Sequence, residues 1–208
     1  ESGAWQLERP LGGRRDAGSD QAMDIIEWGD RPFGSLANLI DYRRNQKRAA
    51  RIAQRIADYQ AAYPGRPTTL IGYSGGGGLA VLAAGRLPGD ARLDRLILLA
   101  PALSPGYDLR PAQSRCPRQI VHFHSEWDIV TLDLGTRLFG TIDRRLTAAA
   151  GRRGFDSRRI PEGVVQIPWR PEWRRLGNDG GHIGWLPQVR SSEVLAAYIP
   201  RSFSPTQE

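Results

Sequence analysis

Residues 69–78 read "TLIGYSGGGG". A short β-branched and apolar run ends in one hydroxyl and then four glycines. A plain strand-to-helix turn needs one glycine or two. Four imply either a backbone bent hard enough to present Ser74, or a close approach of some other group to that backbone. On one side, "TTLIGY" (68–73) is apolar at its centre, as in a strand of a sheet covered on both faces. On the other, "GLAVLAAGRL" (78–87) continues as a helix of small apolar residues.

Further from this turn the same alternation repeats. "LDRLILLAPAL" (93–103), "RQIVHFHS" (118–125) and "GVVQIP" (163–168) read as strands, and "MDIIEW" (23–28) suits an earlier one. "TRLFGTIDRRLTAAAGRRG" (136–154) is expected to be helical in part, and "SSEVLAAYI" (191–199) closes the chain as a helix. Residues 4–17 are ambiguous, a short helix broken near Pro10 or the Gly12–Gly13 pair. Strands separated by helices or long crossovers predict an α/β fold, a predominantly parallel sheet flanked by helices. No internal repeat, low-complexity stretch or linker divides the chain, so one domain over 1–208 is expected.

The segment "YRRNQKRAARIAQRIADYQAAY" (42–63) is an amphipathic helix, stopped by Pro64 and Gly65. Arg44, Arg48, Arg51 and Arg55 fall on one stripe; Ile52, Ile56, Tyr59 and Tyr63 fall on another, expected to be buried. Much of the net charge of +7 comes from arginine. Without a nucleic-acid-binding motif beside it, the basic stripe reads as a solvated face whose stems cover apolar surface, and no nucleic-acid partner is expected. No stretch approaches the ~18 apolar residues of a membrane span, so no stable membrane insertion is expected. Cys116 is the only cysteine, which excludes an intrachain disulfide. There is no apolar signal segment, yet the chain begins with Glu1, so a leader or further sequence could have been removed. The compartment stays open, with a slight lean towards the cytoplasm, and the oligomeric state is unspecified.

In parallel α/β sheets chemistry collects at the carboxyl ends of the strands. Three strand ends carry reactive residue types here. Gly72-Tyr73-Ser74-Gly75-Gly76 matches G-x-S-x-G; Ser125-Glu126-Trp127-Asp128 follows the strand at 118–125; "RPEWRRLGNDGGHIGWL" (170–186), with His182, follows the strand at 163–168. In this order and placement the chain resembles the α/β-hydrolase superfamily over roughly residues 23–199.

That resemblance implies a serine esterase or lipase-like enzyme acting on a small-molecule ester through an acyl-enzyme, with no cofactor and no metal. It assigns Ser74 as nucleophile on a strained elbow, His182 as base and Asp128 as the acid that orients it. Glu126 and Asp133 are the nearby alternatives to Asp128, which is preferred because it sits a few residues beyond the strand end. Gly72 and Gly76 are the elbow glycines, small because side chains there would collide. Gly75, Gly77 and Gly78 let the helix start close to the sheet, and the Gly75 N–H is the oxyanion-hole donor. Each residue type answers a chemical need: a serine hydroxyl is a poor nucleophile alone, an imidazole can take its proton, and a carboxylate holds the ring.

Tyr73, Trp127 and Trp185 are candidate pocket-lining residues. Trp169 and Trp173 lie in the same loops, and the tryptophans could pack the loop, line an apolar pocket, or both. Two other patterns compete. Gly75-x-Gly77-x-x-Ala80 matches a relaxed dinucleotide fingerprint, but the next strand, ending "LILLAPALS", lacks the acid that should follow. His122 and His124, with Glu126 continuing the alternation, could form a zinc half-site, yet no third ligand accompanies them and packing histidines are expected. The chain also departs from the superfamily. Only 73 residues precede Ser74, and no loop that would supply a second oxyanion N–H is recognisable, unless Gly12 or Gly13 does so. A compact hydrolase, an N-terminally shortened one with poor activity, and a hydrolase scaffold used only for binding all fit this departure. Thioesterase or acyltransferase chemistry would use the same three residues.

Overall fold

The structure is a computed structural model that describes Asp24, Ile26 and residues 41–129 and 136–185. The segment expected to be a strand at 23–28 lies mostly outside these residues. Residues 4–17, Gly12, Gly13, Asp133 and the helix expected at 191–199 lie wholly outside them.

Helix α1 (Tyr42–Ala62) starts where the Asp41 side chain accepts the Arg44 backbone N–H at 3.0 Å. Its Ala, Arg, Gln and Lys content favours helix, and it ends at Ala62, two residues before Pro64. Asn45, Ala49, Ile52, Ala53 and Ile56 form its buried stripe. Arg44, Arg51 and Arg55 are exposed, and Arg55 pairs with Asp24 in solvent at 2.7 Å, a contact worth at most ~1 kcal/mol. Tyr63 departs from the expected buried stripe. It lies past the helix end, exposed, with Arg66 stacked over its ring.

Four strands follow: β1 (Thr69–Tyr73), β2 (Arg95–Leu99), β3 (Gln119–His124) and β4 (Val164–Pro168), paired in parallel in the order β1-β2-β3-β4. This is the expected α/β architecture. Helix α2 (Gly75–Ala84) joins β1 to β2 and lies on them, with α1 packed against its other side. Covered by both layers, α2 is buried almost all round, which its Gly, Ala, Val and Leu content allows. Consecutive residues of β2 and β3 are buried, so both faces of the central strands are covered. Among the described strands β1 and β4 form the edges, and Pro168 sits on β4, where a missing N–H costs little.

Two elements are shorter than expected. β2 stops at Leu99 because Ala100 turns to φ 45° and Pro101 follows. Between 136 and 154 only α4 (Thr136–Phe139) and α5 (Ala150–Arg153) are helical; the four-residue α3 (Arg110–Gln113) lies earlier. The interruption has a polar cause. The Asp143 carboxylate accepts from the Thr141 hydroxyl at 2.6 Å and from the Ser104 backbone N–H at 2.9 Å, bonds that compete with the helix.

Candidate active site

The chain leaves β1 through a single unusual residue. Ser74 has φ 54° and ψ −124°, a region non-glycine residues rarely occupy, at a cost of about 1–3 kcal/mol. The surrounding backbone holds it there. The Ser74 N–H donates to the Leu99 carbonyl at 2.9 Å, while its own carbonyl accepts from Gly77 and Ala102. Glycine at position 72 is a steric requirement. A Cβ there would lie 2.6 Å from the Gly76 carbonyl oxygen and 2.7 Å from the Gly77 Cα, both main-chain atoms. Gly77 and Gly78 dock the helix start against Pro101 and Ile142, where added Cβ atoms would come within 2.9 Å. Gly75 opens α2, and its N–H has no hydrogen-bond acceptor among the described residues, as the first turn of a helix leaves it.

Beyond β3 the chain folds straight back. The Asp128 N–H donates to the Ser125 carbonyl at 3.1 Å, and the Ser125 hydroxyl accepts from the Trp127 N–H at 3.3 Å. This tight turn buries the Asp128 side chain, 1% exposed, and leaves Glu126 and Trp127 in solvent. Glu126, the alternative acid, is therefore directed away from the interior.

Beyond β4, a 3₁₀ helix (Pro171–Leu176) leads into the loop that carries His182. The loop is held by hydrogen bonds the sequence reading did not anticipate. Trp169 Nε1 donates to the Asn178 carbonyl at 3.1 Å, and the buried Asn178 side chain accepts the Gly180 N–H at 2.9 Å. Gly180, at φ 88°, passes between the Trp169 ring and the Ser125 hydroxyl, where a Cβ would meet both at about 3 Å. The "NDGG" string carries an Asx-turn signature that could have flagged this anchor.

These three strand ends bring the three sequence-nominated side chains into one hydrogen-bonded row. His182 Nδ1 lies 2.5 Å from Asp128 Oδ2, and His182 Nε2 lies 2.9 Å from Ser74 Oγ. A carboxylate can only accept, so Asp128 takes the Nδ1–H. The lone pair of Nε2 then faces the Ser74 hydroxyl, which donates to it. The row is shielded: the His182 side chain is 14% exposed. An imidazole so placed can remove the hydroxyl proton, and the carboxylate beside it stabilises the cation that results.

The proposed pocket residues separate. Tyr73 lies within the site: its hydroxyl donates to the His182 carbonyl at 3.0 Å, and burial with the Asp128 charge pushes its ionisation up. Trp127 is exposed beside Asp128. Trp185 is core, 4% exposed and packed on Phe123 and Trp173, so it supports the loop from beneath. His122 is wholly buried, hydrogen-bonded through Nδ1 to Gln166 Oε1 at 3.0 Å and stacked on His124. Burial first, then neighbouring His124, push its pKa down to about 3. No cluster of three or more His, Cys, Asp or Glu among the described residues could hold a metal ion, and no described helix is long and apolar enough to cross a membrane.

Compared with known proteins, the chain matches no protein-family model, no curated protein and no solved structure.

Proposed function

We propose that this chain is a serine hydrolase of carboxylic esters, built on the α/β-hydrolase fold. One observation carries the reading: Ser74 Oγ, His182 and Asp128 form a continuous hydrogen-bonded row of 2.9 and 2.5 Å on a backbone held at positive φ. Ser74 Oγ attacks the ester carbonyl carbon as its proton passes to His182 Nε2. The oxyanion that forms is met by the Gly75 N–H at the start of α2. Collapse expels the alcohol, which takes the proton from His182, and leaves the acyl group on Ser74. Water, deprotonated by His182, then releases the acid and restores the serine. Asp128 accepts the Nδ1–H throughout and holds the ring.

Exposed apolar side chains adjoin the row along the chain: Trp127 and Ile129 on either side of Asp128, and Ile183 after His182, 73% exposed. On that neighbourhood rests the proposed preference for apolar esters over charged ones.

The test compares hydrolysis of short p-nitrophenyl esters by the wild-type chain and Ser74→Ala. We expect a loss of several powers of ten, together with loss of fluorophosphonate labelling. Equal rates in the two proteins, or a wild-type chain that the probe leaves unlabelled, overturn the reading.

A further inference from the structure

We infer that Tyr73 is a positioning residue that holds His182 in place against Ser74. The inference rests on the proposed hydrolase reading and adds to it a residue outside the Ser–His–Asp row.

Gly72 points towards α2, where its Cβ direction meets Ala80, so alternation along β1 sends the Tyr73 side chain to the opposite face. There it makes two contacts with one residue 109 positions away. The phenol donates to the His182 main-chain carbonyl at 3.0 Å, which fixes the backbone at that position. Its ring lies 5.0 Å from the imidazole, tilted by 36°, which limits rotation of the histidine ring. The two contacts restrain different freedoms of the same side chain. Because Tyr73 directly precedes Ser74, the hydroxyl and the base are referenced to the same two residues of backbone. The Ser74–His182 distance is thereby tied to the geometry of the elbow itself. Burial and the nearby Asp128 charge keep the phenol protonated, so the donor persists across the neutral range.

The experiment uses the full chain as wild type, Tyr73→Phe and Tyr73→Leu. Phenylalanine keeps the ring and removes the donor; leucine removes both. For short p-nitrophenyl esters we expect kcat to fall about 10-fold in Tyr73→Phe, the worth of one hydrogen bond. In Tyr73→Leu it should fall about 100-fold, the scale of a small misplacement of a reacting group. KM should stay within about twofold in both. The second readout needs no turnover: the deshielded His182 Nδ1 proton in the NMR spectrum should be sharp in wild type and broadened in Tyr73→Leu, at an unchanged thermal midpoint. Loss carried by KM with an unchanged kcat would make Tyr73 a pocket wall and overturn the inference. So would a sharp, unshifted Nδ1 proton in Tyr73→Leu. If the wild-type chain hydrolyses nothing, the ester reading fails by itself, and the NMR comparison still decides whether Tyr73 holds His182.

Discussion

β3 and the loop after β4 each carry histidine and treat it in opposite ways. On β3, His122 is enclosed on all sides, bonded to a neutral amide and stacked on His124, and its ionisation is pushed down to about 3. In the loop, His182 has a carboxylate on one nitrogen and a hydroxyl on the other, at the rim of the sheet. All three histidines of the chain are thus accounted for, and only one stands between a charge and a nucleophile. The lesson is that depth and the charge of the partner decide what an imidazole can do. A polar partner alone does not make a base.

Breaking the loop side should have the largest effect. Asp128→Asn keeps the shape of the side chain but reverses what it offers to Nδ1, favouring the wrong tautomer of His182. Ester hydrolysis should drop about 10⁴-fold, measured as kcat/KM, with far-UV circular dichroism unchanged.

The strand side is sharpened by pH rather than by activity. The unfolded chain protonates His122 near the ordinary imidazole range, around 6.5, whereas the folded chain resists until about 3. The stabilisation is full above about 6.5 and is lost as pH falls towards 3, at up to roughly 1.4 kcal/mol per pH unit. Urea unfolding between pH 7 and 4 should therefore be steeper in pH for wild type than for the non-titrating His122→Gln. Equal slopes would show that this histidine is not held neutral.

A smaller effect is expected where the loop is anchored. Asn178→Ala removes the acceptor of the buried Gly180 N–H and should cost about 1–2 kcal/mol in urea unfolding, with a fall in kcat larger than any change in KM. A stability loss with no change in kcat would uncouple the anchor from His182.

How far the molecule was legible in its sequence follows the range of the forces involved. The elbow could be read because Gly72, Ser74 and Gly77 interact within one turn of chain, and the clash that demands glycine is local. β2 and β3 could be read because burial on both faces leaves continuous apolar runs, whereas the edge strands β1 and β4 are only partly buried and were read from shorter apolar stretches. Asp128 could be picked out from its place beyond the strand end, and it lies 2.5 Å from His182; only the turn that buries this carboxylate and exposes Glu126 separates it from that rival. Tyr73 was noted only as a wall because its partner lies 109 positions away, whereas Asn178 was missed although its bond to the Gly180 N–H is local to the "NDGG" turn. Tyr63 was misplaced because periodicity continued past the point where Pro64 ends the helix.

By itself the sequence determined which backbone could bend, where the strands lay and which residue types stood at their ends; that β1 would be a half-buried edge among the described strands, not a strand covered on both faces, it did not. What it determined depends on sterics and hydrophobic patterning within a few residues. The tertiary structure alone decided which imidazole meets a carboxylate and a hydroxyl, and which one, His122, is sealed in the core. A hydrogen bond of about 3 Å tolerates little error. That accuracy between residues 54 and 108 positions apart is set by the packing of parallel strands and the loops they anchor.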